Sequence, residues 1–135
     1  MGELRWPVGG QGGGGGGNRS VTCDDPSVAW INDNCGGVNE TAAGDFDLGV
    51  SAGTDCVVPA GHSVGDTHSS RSGFYELNRL IEQAKGYLPG NTWMNAQLIS
   101  NMNIVNSCNA FWNGATVNFY RDSAQCRNTG EIAAI

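Results

Sequence analysis

The segment Asp66–Leu88, DTHSSRSGFYELNRLIEQAKGYL, constrains the fold more than any other part of the chain. Phe74, Leu77, Ile81, Ala84 and Leu88 recur at steps of three and four residues, so they line one stripe of an α-helix. Leu80 widens the stripe, while Glu76, Arg79, Glu82 and Lys85 take the other faces. Asp66 or Thr67 can cap the start, and Pro89-Gly90 stops the helix. Gly73 falls in its interior, where glycine weakens a helix unless a neighbour packs closely against it. A single apolar stripe needs an apolar partner surface. The expectation is an α+β fold: an antiparallel or mixed β-sheet with this long helix packed on it.

The sheet is written downstream. Gln97–Val105, QLISNMNIV, places Leu98, Met102 and Ile104 on one face and Asn101 and Asn103 on the other, the pattern of a half-buried strand. Next comes Ser107–Tyr120, SCNAFWNGATVNFY. Asn113-Gly114 is the preferred pair for a two-residue type I′ turn, because both positions take positive φ. Asn109–Trp112 and Ala115–Tyr120 are therefore expected to pair antiparallel. Cys108 and Cys126 flank this hairpin and could close it, a cross-link worth on the order of 3 kcal/mol for a loop of that size. In the final NTGEIAAI, Asn128 or Thr129 is a good N-cap and Glu131 suits the helix dipole in the first turn. A helix of barely one turn does not recover its nucleation cost. The expectation is a chain that stops inside a helix.

The first 62 residues are less informative. Residues 1–20 form a head dominated by Gly9, Gly10 and the run Gly12–Gly17, expected to be disordered because nothing offsets its backbone entropy. Asn18-Arg19-Ser20 does not supply the Lys-Ser/Thr of a phosphate-binding loop. Residues 21–135 are then read as one domain. Val28–Ile31 and Cys56–Val58 are candidate short strands between turn residues. Asn32-Asp33-Asn34 with Gly36-Gly37, and Asp45-Phe46-Asp47, offer oxygen ligands at alternate positions. Calcium stays open as a cofactor, although the spacing completes no twelve-residue calcium loop and solvated turns are the simpler reading.

Composition narrows the functional classes. A chain of 135 residues suffices for one domain with a modest core. Its net charge is -6, with 7 basic against 13 acidic residues and no basic stripe, so nucleic acid and anionic membranes are poor partners. No stretch approaches the ~18 apolar residues of a membrane span. The N-terminus carries no signal-peptide core, since Leu4, Trp6 and Val8 are interrupted by polar, Pro and Gly residues. The 5 cysteines nevertheless sit among Asn, Gly, Ser and Thr without any C-x-x-C pair. That favours disulfides and an extracellular setting over a zinc ribbon or redox motif. Cys23, Cys35, Cys108 and Cys126 are the disulfide candidates, with one thiol left over; scattered buried thiols in a cytosolic protein are the alternative. His62 and His68 are the only histidines, and H-x5-H is no recognised zinc pair. With no G-x-S-x-G elbow and no activated cysteine, the chain holds no complete catalytic constellation.

The order of elements nevertheless has a counterpart. NAFWNG at Asn109–Gly114, a following strand, a helix opening at Thr129-Gly130-Glu131, and DTHSSRSGFYELNRL upstream together resemble the thermolysin-like zinc metallopeptidases, the gluzincins. The resemblance spans residues 66–135, about half the chain. It implies the N-terminal lobe of a secreted zinc metalloendopeptidase that hydrolyses peptide or protein substrates. In that reading Asn109 (side chain) and Ala110 (backbone) hydrogen-bond the substrate main chain, and Phe111 and Trp112 pack the cleft wall or the sheet underside. The resemblance also implies that an H-E-x-x-H motif follows Ile135. Zinc would be held there by two His and one Glu, with the motif Glu activating its water. No catalytic or metal-binding residue then falls within this chain, which is expected to be inactive alone. Two departures stand out: Cys108 takes the place of a polar residue, and Arg121–Arg127 lacks an acidic glycine-rich loop. The alternatives are a non-catalytic, disulfide-stabilised extracellular module binding peptides or glycans through the same edge, and an interaction domain with calcium-bound loops.

Overall fold

The stripe on Asp66–Leu88 becomes helix α1, His68–Tyr87, in the computed structural model of the chain, which describes residues 18–20, 29–38 and 55–132. Thr67 is the N-cap, its hydroxyl accepting from the Ser70 N–H. At the other end Leu88 N–H donates to Ala84 C=O, and Gly90 at φ +93° turns the chain away. Phe74, Leu77 and Ile81 are buried, whereas Leu80 and Leu88 are exposed.

Five strands form one mixed sheet in the order β1-β2-β3-β5-β4. They are β1 Asn18–Ser20, β2 Ala29–Asp33, β3 Leu98–Ile104, β4 Ala110–Trp112 and β5 Thr116–Tyr120. β2, β3 and β5 are parallel neighbours, and β1 and β4 pair antiparallel at the two edges. A 3₁₀ turn at Thr92–Asn95 links α1 to β3, and α2, Thr129–Ile132, follows β5. The core lies between α1 and one sheet face, with Ala29, Ile31, Phe74, Leu77, Ile81, Leu98, Met102 and Phe119 in contact. The architecture is α+β, with a mixed sheet and one main helix.

Gly73 has the close neighbour that its position requires. A Cβ there would lie 1.6 Å from Met102 Cε, so the thioether of β3 fills the space a side chain would need. On the opposite sheet face an asparagine ladder crosses the strands. Asn32 donates to Asn101 at 3.0 Å, Asn101 donates to Asn118 at 2.8 Å, and Asn118 donates to the Phe111 carbonyl at 3.3 Å. The side-chain amides thus repeat, one layer out, the hydrogen bonding of the backbone beneath them.

Several sequence expectations are corrected. Residues 18–20 form a strand inside the stretch expected to be disordered, and residues 1–17 lie outside the described residues. Cys56–Val58 is a turn and an irregular segment, not a strand. The alternation in β3 fails at Asn103, whose φ of +56° breaks the register between Asn101 and Ile104. The bulge turns Asn103 inward, fully buried, and leaves Ile104 half-buried. The hairpin turn is not type I′, because Gly114 but not Asn113 has positive φ. Instead the Asn113 side chain accepts from the N–H groups of Ala115 and Thr116, an Asx turn in place of a backbone one.

Candidate functional site

β4 is the outer strand of the sheet, and its hydrogen-bond parity decides what it can offer. Tyr120 N–H donates to Asn109 C=O and Asn113 N–H donates to Thr116 C=O. Antiparallel partners exchange hydrogen bonds at every second residue. With Phe111 opposite Asn118, the backbone groups of Asn109, Phe111 and Asn113 are turned toward β5. The N–H and C=O of Ala110 and Trp112 therefore face away, along the open edge.

Three restraints hold this edge rigid. The Cys108–Cys126 disulfide closes the hairpin at its base, and Cys108, at φ +58°, sets the entry into β4. The Thr129 hydroxyl donates to Asn109 C=O at 2.8 Å and accepts from Tyr120 N–H at 2.7 Å, joining β4, β5 and the start of α2. The aromatic side chains brace both faces. Phe111 meets Tyr120 edge-on at 5.9 Å on the ladder face, and Trp112 meets Trp93 edge-on at 5.9 Å on the helix face. Of the four residues singled out in sequence, Asn109, Phe111 and Trp112 are exposed and Ala110 is half-buried.

Beside this edge, between α1 and the sheet, runs an apolar groove of ≈ 570 Å³. Leu77, Leu80, Ile81, Trp93, Trp112 and Phe119 are among its lining residues. Leu80 and Trp93 are 59% and 58% exposed, more than a packed core allows.

At the other end of α1 the polar groups converge on Asp33. Its Oδ2 accepts from Thr67 Oγ1 at 2.5 Å, from Asn103 Nδ2 at 2.9 Å and from the Ser70 hydroxyl; its Oδ1 accepts from Cys35 N–H at 2.7 Å. Asn128 donates to Asn103 at 2.5 Å and to Asp55 at 3.0 Å, so β2, α1, β3 and α2 share one network. Asp33, read in sequence as a candidate calcium ligand, has these protein donors around it. Asp45 and Asp47 lie outside the described residues. Cys35 is bonded to Cys56, a cysteine absent from the sequence candidates, while Cys23 lies outside the described residues.

The two histidines do not meet. His62 Nδ1 lies 2.5 Å from Asp66 Oδ2, and His68 Nδ1 lies 3.7 Å from Glu131 Oε1. Burial and the nearby Arg71 push the His68 imidazole below its ordinary value. Burial, with Asp55 and Asp122 beside it, pushes the Glu131 carboxyl up, against the opposing pull of Arg127. Among the described residues no group of three or more His, Cys, Asp or Glu side chains is gathered for a metal.

Compared with protein-family models, curated proteins and solved structures, the chain matches none. The edge must therefore be read on its own geometry. Sequence reasoning reached β4 because its motif is contiguous. It missed Thr129 as the residue that ties the edge to α2, although a Thr at a helix start within ten residues of a strand end was the available signal.

Proposed function

We propose that the chain is the N-terminal part of a secreted zinc metalloendopeptidase of the thermolysin-like kind, and that β4 aligns an extended peptide substrate. The observation that carries this reading is the pair of outward-facing backbone units at Ala110 and Trp112 within NAFWNG. An extended peptide can add to such an edge as a further strand, with the main chain giving affinity and alternate side chains giving selectivity. The Asn109 side chain, exposed at the start of the edge, supplies one more polar contact.

The groove adds support. Phe119 lines it and also sits 3.4 Å from where a Cβ on Gly130 would be, so the start of α2 adjoins its wall. We assign its cover to a continuation of α2 carrying H-E-x-x-H. That motif would hold zinc with two His and activate water with its Glu. Two disulfides agree with an extracellular protein.

The decisive variant is Ala110→Pro. Its N–H faces the open edge, where proline is tolerated in a strand, so the fold should persist while strand addition fails. Capped pentapeptides titrated by NMR should perturb the Trp112 amide in the wild type and not in the variant. Wild-type affinity in Ala110→Pro overturns the alignment role. The coding sequence beyond Ile135 tests the peptidase separately: an H-E-x-x-H there supports it, and its absence favours a non-catalytic peptide- or glycan-binding module on the same edge. The 135-residue chain alone should cleave no peptide; chelator-sensitive proteolysis by it would refute the assignment.

A further inference from the structure

Asp55 steadies the start of α2 from far away in sequence, and a disulfide steadies Asp55. Its Oδ1 accepts from Asp122 N–H at 2.9 Å and from Asn128 Nδ2 at 3.0 Å. Asn128 is buried, and its own Oδ1 accepts from Gly130 N–H at 3.0 Å, capping α2. The residue after Asp55 is Cys56, which is bonded to Cys35 just beyond β2. One covalent bond therefore ties the end of β2 to the carboxylate that anchors the connection between β5 and α2.

The two disulfides differ in what stands beside their sulfurs. In the first, Cys56 is exposed and Cys35 half-buried. The Arg121 guanidinium is held there by the Asn103 carbonyl, to which its Nε donates at 3.2 Å, and another of its nitrogens lies 3.9 Å from Cys35 Sγ. In the second, the group against sulfur is the neutral Ser107 hydroxyl, 3.2 Å from Cys108 Sγ. A disulfide opens when a thiolate attacks one sulfur and the other leaves with the electron pair. Opening is faster when the attacked sulfur is accessible and the leaving thiolate is stabilised, and a neighbouring guanidinium stabilises a thiolate. Cys56 is the accessible sulfur, and Cys35 is the stabilised leaving group. Asp33 is the opposing charge nearby, but its carboxylate already accepts from Thr67, Ser70, Asn103 and the Cys35 N–H.

We propose that Cys35–Cys56 is a redox-sensitive latch on α2, opened by a dithiol reductant while Cys108–Cys126 stays closed. A thiolate of the dithiol bonds to Cys56 Sγ as the Cys35–Cys56 bond breaks, and the electron pair goes to Cys35 Sγ. The dithiol's second thiolate then displaces Cys56 and closes the reductant's own disulfide. The dithiol gives up two electrons and two protons, and Cys35 and Cys56 take them. With the bond open, Asp55 is no longer fixed to β2, and Asn128 loses the acceptor that steadies it. Thr129, the next residue, carries the loosening to Asn109 C=O at the base of β4. The latch does not depend on the peptidase reading.

The test is a time course of dithiothreitol on the folded 135-residue chain in a Cys23→Ser background, so that the fifth cysteine exchanges with neither disulfide. Free thiols are alkylated and mapped by mass spectrometry. Cys35 and Cys56 should be labelled about tenfold sooner than Cys108 and Cys126. Arg121→Gln should slow that first opening severalfold and leave the second unchanged, whereas Arg121→Lys, which keeps the charge, should stay near the parent rate. Glutathione, a monothiol, should be trapped on Cys56 and not on Cys35. Hydrogen exchange at the Gly130 amide should accelerate on opening while that of Ile31 does not, and the double variant Cys35→Ser with Cys56→Ser should show the same pattern without reductant. Should that double variant fail to fold, the order of labelling still decides. Opening of Cys108–Cys126 first or at an equal rate overturns the proposal. An Arg121→Gln rate equal to the parent's, glutathione on Cys35, or Gly130 exchange indifferent to opening overturns it equally.

Discussion

Gly73 and Met102 form the most exacting contact in the core, because one residue has no side chain so that the other can reach the helix backbone. Gly73→Ala raises helix propensity yet drives a methyl into the Met102 thioether, and overpacking of this kind costs about 1–3 kcal/mol. Pairing it with Met102→Ala should recover part of the loss, which a double-mutant cycle from urea melts will show as non-additivity. At Asp33 the expected loss is larger. Asp33→Ala strips the acceptor from Thr67, Ser70, Asn103 and the Cys35 N–H at once, on the order of 3 kcal/mol or more in the same measurement.

Among the elements, the α2 junction controls the hairpin. Thr129→Val keeps the shape of the side chain but leaves Asn109 C=O and Tyr120 N–H without their hydroxyl, so about 1–3 kcal/mol should be lost. Hydrogen exchange at Tyr120 should accelerate more than at Ile31. Replacing both Cys108 and Cys126 by Ser removes a cross-link closing 18 residues of sequence separation, with an expected loss of about 3 kcal/mol in the chemical midpoint analysis. The same contrast between near and far explains what the sequence disclosed. α1 and the β4–β5 hairpin were legible because their signals, a helical stripe and an Asn-Gly pair, are complete within a few residues. The Asp33 network was not, since its partners Thr67 and Asn103 lie 34 and 70 residues away. Cys35–Cys56 was hidden because five cysteines admit many pairings and spacing selects none. The Asn103 bulge escaped for a third reason: alternation assumes extended backbone, and one residue at positive φ inverts everything after it. In the candidate site, NAFWNG marked the edge, but the parity of its hydrogen bonds required the partner strand.

At the scale of the whole molecule, the groove between α1 and the sheet is a large apolar feature among the described residues. Exposed Leu80, Trp93 and Trp112 around an apolar channel should make the isolated chain self-associate as concentration rises. Sedimentation velocity should register this, and Leu80→Lys should reverse it while leaving the peptide-induced shifts at Ala110 intact. A monomeric wild type at high concentration would refute this prediction.

The outward units at Ala110 and Trp112 are two residues apart, about 6.8 Å along a strand. A guest strand displaced by a single residue would turn its opposite set of side chains to the groove, so it can move only in dipeptide strides. The edge thus reads a ligand's odd positions or its even ones, never a blend, and two peptides differing only by one added terminal residue would be sorted by phase.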